Sequence, residues 1–248
     1  MRIILLLSLF IQFAAFGQRN LRDSSLNLPI IGMNYKFNLT SGDISDLWGF
    51  NHEIGVSVDN KFKNGLTLGV TSGFIFGDQL RDSSMFLGLV NEFGSITSLG
   101  GNPAGILFLM RGMTANVNTG YVFNKLGHNP NSGLWLQFGA GFLMHKIRIE
   151  SLYDDVPQLE GDYRKGYDRL HMGFQTRQFI GYLFQADRRF LNFYAGFECI
   201  QGFTSNQRNY NFDLGGPDPG SKLDFLWGAK VGWMIPIYKR APKEYYID

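Results

Sequence analysis

Five charges stand isolated in otherwise neutral, alternating segments of this 248-residue chain: Lys36, Glu53, Arg177, Glu198 and Lys230. A charge removed from water is tolerable only if it is paired and hydrogen-bonded, so the five are expected to meet. Such a meeting has two uses, an internal ion-pair network or a path for protons or ions, and the network is the expected one. Four histidines, His52, His128, His145 and His171, are the other groups suited to acid–base work. No serine or carboxylate stands at a spacing that completes a nucleophile, base and orienter around them. His128 runs into Asn129-Pro130-Asn131-Ser132, which is turn chemistry. His145 and His171 share a parity near the ends of neighbouring segments, so they are expected to approach each other. Metal-ligand spacings, Gly-x-Gly-x-x-Gly and phosphate-loop patterns do not occur. The protein is therefore read as non-enzymatic, with no catalytic, cofactor or metal site.

The elements that hold these residues alternate with period two, the mark of a strand with one apolar face. Ile31, Met33, Tyr35, Phe37 and Leu39 interleave with Gly32, Asn34, Lys36, Asn38 and Thr40. Phe50, His52, Ile54, Val56 and Val58 form a second run, and Leu66 to Phe76 a third across the Asn64-Gly65 hairpin signal. Further runs cover Ala115–Phe123, Leu134–Phe142, Leu170–Phe184, Leu191–Phe203 and Phe225–Ile235. The bulky residues share one face, and Gly, Asn, Thr and Gln share the other. In a soluble ligand-binding barrel the apolar face points inward. Here the bulk fits an apolar surrounding and the small polar residues fit a narrow interior. Pairing the runs sets Lys36 opposite Glu53, Arg177 nearly opposite Glu198, and Glu198 opposite Lys230.

Links between the runs are short at 60–65, 124–132 and 185–189, and long at 41–48, 77–112, 147–169 and 204–223. That rhythm belongs to bacterial outer-membrane barrels, whose turns are short at the periplasmic rim and whose loops are long outside. The segment Ile3 to Phe16, behind Arg2 and ahead of Ala15-Phe16-Gly17, has the form of an export signal cleaved before Gln18. Residues 1–17 are thus expected to be removed, leaving 18–248 as a single barrel domain with both termini periplasmic. The net charge of +2 gives no reason to expect nucleic acid as a partner. The expected fold is all-β: an eight-stranded antiparallel transmembrane barrel with short helices in a long external loop. Two helix-like stretches are expected within 77–112, one after Asp82 and one after Asn102-Pro103; two further strands there would make ten.

With its signal ending before Gln18 and its last strand Gly228-Ala229-Lys230-Val231-Gly232-Trp233-Met234-Ile235-Pro236-Ile237-Tyr238, the chain resembles the small outer-membrane barrels of the Bacteroidota. It departs from the terminal aromatic of proteobacterial barrels by running on to Asp248. The resemblance implies an outer-membrane location, and families of this kind include adhesins, secretion accessories and barrels of unknown role. An accessory or structural subunit of a larger assembly for protein secretion or insertion is the expected function; the alternative is a stand-alone barrel acting on lipid or a small molecule. Outer-membrane lipid and other outer-membrane or periplasmic proteins are the expected partners. Phe86, Val90, Phe93 and Leu107 of the long loop, and Tyr245 and Tyr246 of the tail, are the expected protein contacts.

Overall fold

A computed structural model describes residues 24–153, 155–186 and 191–237. The expected signal at 1–17 and the tail contacts Tyr245 and Tyr246 lie outside the described residues. Eight strands run β1 (Leu28–Gly42), β2 (Asn51–Lys61), β3 (Leu66–Gly77), β4 (Ile106–Phe123), β5 (Gly133–Ser151), β6 (His171–Gln185), β7 (Asn192–Asn206) and β8 (Ser221–Pro236). Each pairs antiparallel with the next, and β1 pairs with β8, so the sheet closes into a barrel. Closure leaves no unpaired edge, which lets every strand satisfy its backbone within the wall. Between β2 and β3 the chain turns on Gly65, whose φ of 92° suits a residue without Cβ.

Alternation decides the two faces. Along β1, even-numbered residues from Leu28 to Asn38 are buried and odd-numbered ones from Ile31 to Leu39 are exposed. The exposed set around the barrel is apolar: Ile54 is 50% exposed, Val70 52%, Phe138 61% and Phe197 66%. One rim carries the short turns, the start of β1 and the end of β8, and the opposite rim carries the long loops.

The long loop departs from expectation. The short helix expected after Asp82 is present at 84–89 as a 3-10 helix, and it ends before Val90 and Phe93. Ile106, Leu107, Leu109 and Met110 are not in a second helix; they open β4, which starts nine residues before the expected Ala115. Both faces are apolar at that end, so period two is hidden there. No extra strand pair forms, and the count is eight. A single-turn helix, α1 (Ile44–Leu47), lies in the first loop.

Inside, the barrel is layered. At the short-turn rim, Leu28, Ile30, Val122, Trp135, Phe179, Leu183, Tyr194 and Met234 form an apolar cluster. The rings of Trp135, Phe179 and Tyr194 meet edge to face, with centroids 5.3 to 5.8 Å apart. Gly232 makes room for this cluster, because a Cβ there would fall 2.3 Å from the Tyr194 ring. At the loop rim, Ile75, Met110, Leu143, Ile147, Ile200 and Leu226 point inward and pack against Ile44 and Trp48 of the first loop, Met85 and Phe86 of the second, and Val156 and Leu159 of the third. The interior is therefore not polar throughout: apolar clusters lie toward both ends, beside buried polar groups such as Lys61 and His145. The inner face that the sequence marks as rich in Gly, Asn, Thr and Gln thus carries apolar clusters as well.

Candidate functional site

Between the apolar ends, Glu198 is the hub of the middle layer. Its Oε1 accepts a hydrogen bond from Lys36 Nζ at 2.8 Å. Its Oε2 accepts from Lys230 Nζ at 2.8 Å and from Arg177 Nε at 2.6 Å. Lys36 also reaches Glu53 at 2.9 Å. All five side chains are 2% exposed or less, so bulk water does not screen the pairs. Lys36 and Glu53 are direct cross-strand partners. Arg177 faces Ile200, which leaves it nearly opposite Glu198 as expected, whereas Lys230 faces Gly196, two positions from the register expected opposite Glu198. Their length spans the offset.

Neutral groups complete the layer. Arg177 donates through Nη1 to Asn118 Oδ1 at 2.8 Å and through Nη2 to Gln137 Oε1 at 3.1 Å. Thr114 donates to Glu53 at 3.1 Å, and Asn118 donates to Thr71 at 2.7 Å. Side chains from all eight strands thus meet in this layer: Lys36, Glu53, Thr71, Asn118, Gln137, Arg177, Glu198 and Lys230. Asp59, 4% exposed on the inner face of β2, was not among the expected charges. It shares parity with Glu53, which is the signal that marks it. Lys61 was missed as well; read as part of the turn, it is buried and donates to Asn131 Oδ1 at 3.1 Å.

Nearer the loop rim, His145 and His171 are direct partners across β5 and β6, with rings stacked 5.2 Å apart. His145 Nε2 lies 3.1 Å from Asp224 Oδ2, and His171 Nδ1 lies 2.9 Å from the Arg169 carbonyl. Asp224 also accepts from Thr204 at 2.6 Å. His145, His171, Arg169 and Asp224 line a cleft of about 190 Å³ together with Asp43, Asp46, Asp82 and Met85. In the loop, the Ser84 backbone N–H hydrogen-bonds Asp82 and holds its carboxyl below the usual range. The cleft joins a histidine to a carboxylate, but among the described residues no hydroxyl bonds to either ring. Among the described residues no cluster of His, Cys, Asp and Glu has the makings of a metal site.

The expected contact residues are scattered. Phe86 is corrected outright: it is 2% exposed and stacks on Phe108 and Tyr167. Val90 is half-buried and bridges to Ile96. Leu107 sits on the outer face of β4, and Phe93 is 86% exposed at the tip of the loop. Leu87 and Leu99, which sequence did not single out, are exposed on the same loop.

No protein-family model matches the chain, and no curated protein is similar to it in sequence. Among solved structures it is similar to Ail, the attachment invasion locus protein of Yersinia pestis, at 9% identity over 84% of this chain and 99% of that one, with a TM-score of 0.43. It is similar to Neisserial surface protein A at 8% identity, over 84% and 96% of the two chains, with a TM-score of 0.44. A third is a major outer membrane protein of Thermus thermophilus, at 10% identity over 84% and 99%, with a TM-score of 0.44. At these identities the likeness concerns the fold alone.

Proposed function

We propose that the protein is a non-conducting, non-enzymatic outer-membrane barrel that serves as an accessory subunit of a larger outer-membrane assembly. One observation carries the reading: an apolar outer wall encloses an interior blocked at three levels. Soluble proteins rarely expose contiguous apolar patches beyond ~600 Å². Here the apolar exposure runs around all eight strands, from Met33 through Val117 and Phe174 to Val231, as a lipid-facing band requires. The blocked interior argues against a channel, which leaves the loops and the wall as working surfaces. The short-turn rim, with both chain ends, is assigned to the periplasm and the loop rim to the outside. The last strand's resemblance points to the Bacteroidota as the kind of cell.

Docking is supported by the second loop, which presents Leu87, Phe93 and Leu99 to solvent although Met85 and Phe86 anchor it. Anchored loops with exposed apolar tips are suited to partner contact. The test replaces Leu87, Phe93 and Leu99 by serine in the full chain and follows its migration in native membranes solubilised gently. A docking subunit moves from a large complex to the size of the lone barrel. If the variant stays with the large complex, this loop is not the contact; if the parent already migrates alone, the stand-alone alternative replaces the subunit reading.

A further inference from the structure

We infer that the outer face of the β4–β5 hairpin, at the loop rim, holds a binding site for the phosphate headgroup of an anionic lipid. Arg111 and Lys146 are direct cross-strand partners on the outer face. Two like charges directly opposed repel, and their pairing destabilises a sheet that offers no counter-charge. Arg148 follows Lys146 on the same face, and Arg164 and Lys165 from the third loop and Arg208 from the fourth converge on the same cleft of about 530 Å³.

Carboxylates answer only part of this charge. Asp168 holds Arg208, whose pKa that hydrogen bond raises, Glu150 holds Arg148, and Asp162 holds Lys165. Arg111, Lys146 and Arg164 have no carboxylate partner among the described residues, although Arg111 donates to the Met110 carbonyl at 2.7 Å. Three such cations around one cleft suit a phosphate, which accepts several charge-assisted bonds at once.

The surroundings specify a lipid rather than a free ion. Phe74, Met113 and Met144 line the cleft on the side toward the apolar band. Arg111 faces Phe76 across β3, and Phe76 faces His52, so the cations sit level with an aromatic girdle. Headgroups lie at that depth. Cations that merely reach for the interface would recur around the rim. Instead, among the described residues, the outward positions of β1, β2, β3, β6, β7 and β8 carry no Lys or Arg, and those of β4 and β5 carry Arg111, Lys146 and Arg148. The charge is confined to one sector, as a site is.

This inference rests on the membrane reading. The full chain, purified in neutral detergent, is titrated with phosphatidylglycerol, with phosphatidylcholine and with inorganic phosphate, and bound lipid is read by native mass spectrometry. Phosphatidylglycerol is expected to bind preferentially. Arg111→Gln with Lys146→Gln should weaken it about a hundredfold, tenfold for each charge-assisted bond lost. Lys63→Gln, at the opposite rim, should leave it unchanged. Equal retention of the two lipids, or an unchanged affinity in the double variant, overturns the site. Displacement of the lipid by millimolar phosphate overturns the lipid assignment. Failure of the parent to insert into phosphatidylcholine vesicles is a separate result and contradicts the membrane reading itself.

Discussion

Lys36 and Lys230 stand directly opposite each other across the seam where β1 meets β8, and Glu198 holds one with each of its oxygens. Two ammonium groups would otherwise repel at the place where the barrel closes. Glu198 therefore joins the first strand to the last from a position on β7. Removing it leaves two lysines and Arg177 with too little compensation in a water-poor interior. Glu198→Gln should destabilise the barrel by about 3–5 kcal/mol. Urea unfolding in detergent, followed by the mobility difference between folded and unfolded barrel, measures it. Stability equal to the parent would show that the carboxylate is not the hub.

The same geometry predicts a partial rescue. With Glu198→Gln in place, Lys230→Met removes one of the charges left uncompensated. The double variant should recover roughly 1–2 kcal/mol relative to Glu198→Gln, because contacting residues in one network do not add independently. Losses that simply sum would mean that Lys230 and Glu198 are not coupled.

Packing at the short-turn rim gives a steric prediction. Alanine at Gly232 would drive its Cβ into the Tyr194 ring, which Trp135 and Phe179 hold from the other side. Overpacking of this kind costs about 1–3 kcal/mol. Gly232→Ala should lower stability by that amount, and a second change, Tyr194→Leu, should restore part of it. The same unfolding assay reads both; no loss in Gly232→Ala would show that the ring can move aside.

The four tryptophans divide between the faces, which makes them reporters. Trp227 and Trp233 are exposed on the outer wall at 46% and 43%, whereas Trp48 and Trp135 are buried within. In vesicles of brominated lipid, single-tryptophan variants keeping Trp227 or Trp233 should lose much of their fluorescence. Those keeping Trp48 or Trp135 should change little. The reverse pattern would exchange the assigned faces.

Strand alternation made the wall legible before any coordinates, since a band with one apolar face imposes period two on every strand. Parity alone brought Lys36, Glu53, Arg177, Glu198 and Lys230 to one surface, and the structure joins them into one network. Parity does not give depth. It therefore left open that Ile75, Met110 and Leu143 cap the polar layer, because inward apolar residues next to outward ones erase the alternation. Ile106 to Met110 read as a helix for that reason. Arg111 and Lys146 lie 35 positions apart in sequence, and only the β4–β5 register places them side by side.

A membrane-inserted barrel with a sealed interior passes no ions, and ion flux measures this. The parent protein is reconstituted into vesicles in which brominated-lipid quenching of Trp227 and Trp233 has established insertion, and potassium release is followed. Release is expected at the rate of protein-free vesicles. Steady release that scales with the amount of inserted protein would contradict it, because the layer around Glu198 would then be a path and not a seal.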